Sequence, residues 1–347
     1  MTDPKTLFLA LLRYREPDHP RALFELGITL LSLVLCWVLM WLSLDVGYWL
    51  TLLLAIPAAG FLVRLFLIQH DCGHGAFFRG RAVNDWVGRA LGVLTLTPYD
   101  YWKRNHAIHH ATSSNLDRRG IGDIETLTVE EYRARSLLGR FFYRFYRNAI
   151  VMFGIGAAYV FFLKHRLPFY QMRAGWRPWV STMATNVAII LAVAVMIRLV
   201  GTGPFFLVHL PIMLLAASMG VWLFYVQHQF EDVVWMRNDG WVQHEAALSG
   251  SSYYDLPDVL RWFTANIGIH HVHHLNSRIP YYRLPQVLRD HPELKKVGRL
   301  TLVESLRGVR LTLWCESRKK LVSFADLRPA AGRTALVQDD AAAGPNS

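Results

Sequence analysis

Residues 26–74 read LGITLLSLVLCWVLMWLSLDVGYWLTLLLAIPAAGFLVRLFLIQHDCGH. Two apolar runs, 26–44 and 46–63, are parted only by Asp45. One helix over both would be roughly 57 Å long at about 1.5 Å per residue, whereas a bilayer's hydrocarbon core is about 30 Å thick. The chain therefore turns back near residues 45–47, and the segment reads as a hairpin of two spans, about 26–44 and 46–68. No small-residue cleavage pattern follows the first run, so it reads as a retained span rather than a cleavable signal. The second helix runs on into His70 and His74, whose spacing puts both imidazoles on one face.

The same length argument divides 178–227 into spans at 178–197 and 204–227, turning at residues 201–204, where Gly201, Gly203 and Pro204 gather. The apolar stretches 90–99 and 148–163 are short and read as interfacial or re-entrant. Composition agrees with a membrane protein. Hydrophobic residues make 53% and charged residues 18%. A soluble domain carries about 25% charge, and a disordered chain more. The net charge of +11 sits in particular places. The N-terminal segment carries Lys5, Arg13, Arg15 and Arg21, and residues 69–177 carry sixteen Lys and Arg. The hairpin tips have almost none, Arg198 excepted. By the positive-inside rule both termini and the central region face the cytoplasm. The basic residues flank spans and form no nucleic-acid reading motif, so no nucleic-acid partner is expected. Three scattered cysteines, Cys36, Cys72 and Cys315, imply no disulfide framework. The expected organisation is a cytoplasmic segment at 1–24, a membrane domain at 25–328 and a disordered tail at 329–347.

Nine of the fifteen histidines fall in three clusters: His70 and His74; His106, His109 and His110; His270, His271, His273 and His274. His228 stands alone at the end of the fourth span. One such pair is an ordinary helix feature, or a chance affinity for trace metal. Three clusters at ligand spacing, beside spans or in one basic region, are not. Two hairpins make an even number of crossings between clusters, so all three lie on one side and can converge. Eight imidazoles at ligand spacing plus His228 exceed what one ion accepts, which points to two metals. Imidazole suits Fe, Zn, Cu and Ni alike, so spacing alone leaves the element open. The expected fold is an all-α integral membrane protein of four transmembrane helices in two hairpins, with a cytoplasmic helical cap carrying a histidine-rich di-metal site.

The three clusters, His70-x3-His74, His106-x2-His109-His110 and His270-x2-His273-His274, resemble the histidine boxes of the membrane fatty acid desaturases. The stretch from His70 to Phe78 is similar to the first box of the acyl-lipid omega-6/omega-3 (Δ12-like) branch. Tyr225-Val-Gln-His-Gln-Phe-Glu-Asp and Gly120-Ile-Gly-Asp-Ile resemble bacterial members of that branch. The resemblance covers about residues 25–325. It implies a bacterial inner-membrane enzyme with a non-haem di-iron site that activates O2, draws two electrons from a carrier and removes two hydrogens from adjacent acyl carbons. The implied ligands are His70, His74, His106, His109, His110, His270, His273 and His274, with His228 as an additional one. Asp71 and Asn266 are candidates to orient imidazoles, and His271 is a candidate hydrogen-bonding neighbour of the ligands.

The implied partners are lipid-linked acyl chains and a separate electron donor, a ferredoxin or cytochrome b5. The chain has no His-Pro-Gly-Gly motif, no Gly-rich dinucleotide fingerprint and too few cysteines for an iron–sulfur cluster. Trp102, Phe77, Phe78, Trp222 and Phe224 are candidate tunnel residues. Arg118, Arg119, Arg133, Arg135 and Arg140 form a candidate surface for an acidic carrier. A hydroxylase, an epoxygenase or another di-iron oxygenase on the same scaffold is the alternative reaction. A metal transporter or sensor is the non-enzyme alternative. It would place ionisable groups near the bilayer midplane, whereas these histidines lie at span ends.

Overall fold

Four long apolar helices dominate the chain, which a computed structural model describes over residues 3–327: His19–Ser43, Tyr48–His74, Trp176–Val200 and Thr202–His228. The expected tail at 329–347 lies outside the described residues. The first span starts earlier than its apolar run, because Asp18 accepts a hydrogen bond from the Arg21 amide at 3.1 Å and Pro20 occupies the first turn. The hairpin turn at 44–47 is tied by a 2.8 Å hydrogen bond between the Ser43 and Thr51 hydroxyls. The second hairpin turns on Gly201 at φ +87°, a conformation that favours glycine.

The second and fourth spans have 27 residues each, about 40 Å of helix against a core of about 30 Å. Their last turns therefore project beyond the hydrocarbon and carry His70, His74 and His228. The second span is the innermost. Its small residues Ala55, Ala58, Ala59 and Gly60 are buried and allow close approach, and a Cβ on Gly60 would meet the Phe263 ring at 2.7 Å. Within it, buried Arg64 pairs with Glu25 of the first span and with the Trp262 carbonyl of the cap. The third span buries only Pro178 and Thr182, so its apolar surface is left to lipid.

Neither short apolar stretch forms a single straight helix. Residues 90–99 are not one element: helix Arg81–Leu94 ends, Leu96 takes φ +53°, and Pro98 caps helix Tyr99–Thr112. Residues 148–163 form a π-helical turn, Val151–Gly156, running into α-helix Ala157–Phe162. This piece lies against the fourth span and is bent by 70° from helix Leu137–Tyr146. The cap also contains two small sheets that helical periodicity did not predict. Leu127–Thr128 pairs in parallel with Leu313–Cys315, which pairs antiparallel with Lys320–Val322. Tyr253–Asp255 pairs in parallel with Arg299–Thr301. The N-terminal segment is folded onto this cap: the Tyr14 hydroxyl donates to Asp290 at 2.7 Å, and Arg15 Nε donates to Asn276 at 2.8 Å.

Candidate metal centre

Three helices and the end of a fourth deliver the histidines. His70 and His74 close the second span, His106, His109 and His110 lie on Tyr99–Thr112, His228 ends the fourth span, and the third cluster forms helix His270–Leu275. The helix Tyr99–Thr112 is seated by Gly88 and Gly92. A Cβ on Gly88 would come within 2.2 Å of the Tyr99 ring, and one on Gly92 within 2.5 Å of the Thr97 carbonyl. The third-cluster helix is held by the Ser252 carbonyl, which accepts from the His270 and His271 amides at 3.2 Å each.

The imidazoles gather into two adjoining nests. His70, His74, His106, His110 and His273 form one, and His109, His228 and His274 form the other. His270 joins the second nest, its Nε2 lying 3.0 Å from that of His228 and 3.1 Å from that of His274. The His110 and His274 rings stack at 4.1 Å where the nests meet. Each box triplet is thus divided. His106 and His110 enter one nest and His109 the other; His270 and His274 enter one and His273 the other. On a helix, i+3 falls about 100° from i+4, so neighbouring histidines straddle the ridge between two sites.

Nitrogen contacts test whether a cation fits. In the first nest the Nε2 atoms of His74 and His106, His106 and His110, and His110 and His273 are each 3.1 Å apart. In the second, His109 and His228 are 3.2 Å apart. The Nε2 atoms of His106, His110, His228 and His270 each face two others. A neutral ring nitrogen either donates or accepts, so hydrogen bonds alone cannot satisfy these chains. A shared ion does. With metal–nitrogen bonds of about 2.1 Å and near-right angles, neighbouring ligand nitrogens stand about 3.0 Å apart.

Three of the other ring nitrogens are held from outside. Asp71 Oδ1 lies 3.2 Å from His70 Nδ1, and its second oxygen accepts from the Tyr281 amide at 2.7 Å. Asp123 Oδ1 lies 2.5 Å from His109 Nδ1, and the Gly250 carbonyl lies 3.3 Å from His228 Nδ1. Such partners keep the proton on Nδ1 and leave Nε2 with its lone pair. Burial, reinforced by neighbouring imidazoles, holds His106, His110, His270, His273 and His274 well below the ordinary histidine pKa. All five are therefore neutral, the form that binds metal.

Two sequence expectations need correction. Asn266 orients no imidazole among the described residues; it sits at φ +54° and its amide donates to the Tyr281 carbonyl at 3.3 Å. His271 faces away from the nests, its Nε2 donating to the Leu294 carbonyl at 3.0 Å. Its pKa is pushed down to about 4 by burial, and it fastens the third-cluster helix to the following turn. Asp123 was missed. It lies in the run Gly120-Ile-Gly-Asp-Ile, whose glycines at φ +118° and +76° curl the loop back over the Tyr99–Thr112 helix. Those glycines were the available signal. Of the aromatic candidates, Trp102 stacks on His106 at 4.6 Å and Phe224 lies 5.1 Å from His109. Phe77 and Phe78 pack against each other, and Trp222 packs against Phe153.

Comparison with known proteins follows the same geometry. A family model described as fatty acid desaturase matches residues 46–302, a range containing all nine nest histidines. The chain is 45% identical over 315 residues to a Bacillus subtilis protein named fatty acid desaturase, covering 91% of this chain and 89% of the relative. It is 28% identical over 235 residues to a Synechocystis sn-1 acyl-lipid omega-3 desaturase (ferredoxin), across 63% of this chain and 61% of the relative. It is 27% identical over 233 residues to a Synechocystis sn-1 oleoyl-lipid 12-desaturase, across 64% of this chain and 63% of the relative.

Proposed function

Since this chain belongs to the fatty acid desaturase family, we propose that it inserts a cis double bond into a lipid-linked acyl chain, using O2 and two iron ions. The observation that carries the reading is the convergence of nine imidazoles into two adjoining nests. We assign His70, His74, His106, His110 and His273 to one ion and His109, His228, His270 and His274 to the other. Bound iron would supply O2 activation and the oxidising power that an unactivated CH2 group demands. Asp71 and Asp123 hold the Nδ1 protons of His70 and His109, which aims their Nε2 lone pairs inward. Burial of His109, His228 and His274 would keep bulk water from one ion.

The balanced reaction is –CH2–CH2– plus O2, two electrons and two protons, giving –CH=CH– and two waters. O2 accepts four electrons, two from the acyl chain and two from a separate carrier of ferredoxin or cytochrome b5 type. The nests lie at the ends of the second and fourth spans; the positive-inside rule puts that side and the N-terminus in the cytoplasm, and the likeness to bacterial desaturases makes an inner membrane the expected location. The test is expression in a bacterium without polyunsaturated lipids, with oleate and a ferredoxin system supplied, followed by gas chromatography–mass spectrometry of fatty acid methyl esters. A new diene is expected. A hydroxy or epoxy acid would overturn desaturation while keeping the metal centre. His109→Ala should abolish the product and lower bound iron from two per chain while the protein still inserts.

A further inference from the structure

Beside the first nest lies a cleft of about 480 Å³. His74 is in its wall, and Arg79, Arg81, Lys103 and Arg278 line it. Its one carboxylate, Asp85, is already engaged by Lys103 at 2.7 Å. Arg79, Arg81 and Arg278 are exposed and have no carboxylate within 4.0 Å among the described residues. The surface suggested by sequence is different. Its five arginines between residues 117 and 140 share that stretch with the carboxylates Asp117, Glu125, Glu130 and Glu131, Asp123 being buried against His109 and Asp117 held by Arg237 at 2.6 Å. Arg119 is paired with Glu131, and Arg135 with Glu125 at 2.8 Å. Part of that surface's charge is thus already compensated, which weakens its attraction for an acidic partner.

We propose that the Arg79–Arg81–Arg278 cleft, and not the Arg118–Arg140 surface, is where an acidic one-electron carrier docks. This rests on the reading above, in which two electrons arrive from a separate protein. Each docking oxidises one reduced carrier and passes one electron toward the nest through the His74 wall; two dockings supply the two electrons of the balanced reaction. Uncompensated guanidinium groups steer an acidic partner and set its orientation. A cleft that reaches a nest histidine gives that partner a short path to the centre. A lipid head group seated here would instead hold the ester end of its acyl chain against the nest, away from mid-chain carbons.

The experiment uses the full chain in lipid nanodiscs, with an acidic plant-type ferredoxin kept reduced and defined oleoyl lipid as substrate. Wild-type turnover checks the proposed activity; the variants then test the cleft alone. The triple variant Arg79→Glu, Arg81→Glu, Arg278→Glu should raise the KM for ferredoxin at least about tenfold. Its lipid KM, its kcat at saturating carrier and its metal content should be unchanged. Raising salt from about 0.05 to about 0.3 M should lower wild-type kcat/KM for ferredoxin and barely affect the variant's. Arg118→Glu, Arg133→Glu, Arg140→Glu should leave the ferredoxin KM near wild type. An unchanged ferredoxin KM in the first triple, or an equal rise in both triples, would overturn the proposal. A rise in lipid KM alone would reassign the cleft to an anionic head group. If charge reversal lowers metal content, the three Arg→Gln substitutions replace it, with about a threefold rise expected.

Discussion

Removing the Asp123 carboxylate should loosen one metal and spare the other. Asp123 Oδ1 lies 2.5 Å from His109 Nδ1, with the two side chains only 7% and 2% exposed. Water therefore cannot replace the carboxylate freely. Losing the partner of a metal-binding histidine costs about 10- to 100-fold in affinity or activity, or about 1.4–2.8 kcal/mol. Asp123→Ala should fall in that range. Asp123→Asn keeps an oxygen acceptor without the charge, and a neutral hydrogen bond retains about half the strength, so its loss should be about 3- to 10-fold. The assay is iron per chain after dialysis against graded chelator, read beside product formation. The wild type should hold two ions, and Asp123→Ala about one at a chelator strength the wild type withstands. Asp71→Ala acts on His70 and should release the other ion. Wild-type affinity and turnover in Asp123→Ala would refute the idea that the carboxylate positions His109.

Three further outcomes follow from packing and burial. Arg64→Ala leaves Glu25 with Arg21 at 2.6 Å and the Tyr281 hydroxyl at 3.3 Å, so losing the buried charged hydrogen bond should cost about 1.5–3 kcal/mol of stability, while Glu25→Leu with Arg64→Met should recover most of it; thermal unfolding in detergent reads both. Gly88→Ala drives a methyl group into the Tyr99 ring, within 2.2 Å, and should cost about 1–3 kcal/mol by overpacking. The same measurement checks it, and an unchanged midpoint would show that the helix Arg81–Leu94 can shift. Acid should destabilise the chelator-treated protein. His106, His110, His270, His273 and His274 have folded pKa values well below 6.5, so the unfolded chain binds more protons as pH falls through about 6.5. Their contribution is present above that pH and is lost below it, at about 1 kcal/mol per histidine by pH 5.5. A flat stability profile between pH 7.5 and 5.5 would mean these imidazoles are not buried neutral.

Hydropathy and helical spacing along the chain determined the four spans, the two hairpins and the eight histidines at ligand spacing, while His228, standing alone, entered only through the resemblance. These properties are local: an apolar run has a length, and i, i+4 pairs share a face wherever the helix goes. Tertiary structure decided how the nine divide. His109 meets His228 across 119 residues of sequence, and His110 meets His273 across 163. No periodicity within one helix encodes such a meeting, so the box triplets looked like single units and proved to be shared between two sites. Asp123 went unrecognised for the same reason. Its service to His109 depends on a loop of positive-φ glycines folding back over a neighbouring helix. Asn266 and His271 looked suitable because they lie within four residues of the third-cluster histidines in sequence. The backbone turns Asn266 toward the Tyr281 carbonyl and His271 toward the Leu294 carbonyl, because adjacent residues on a helix or turn point in different directions.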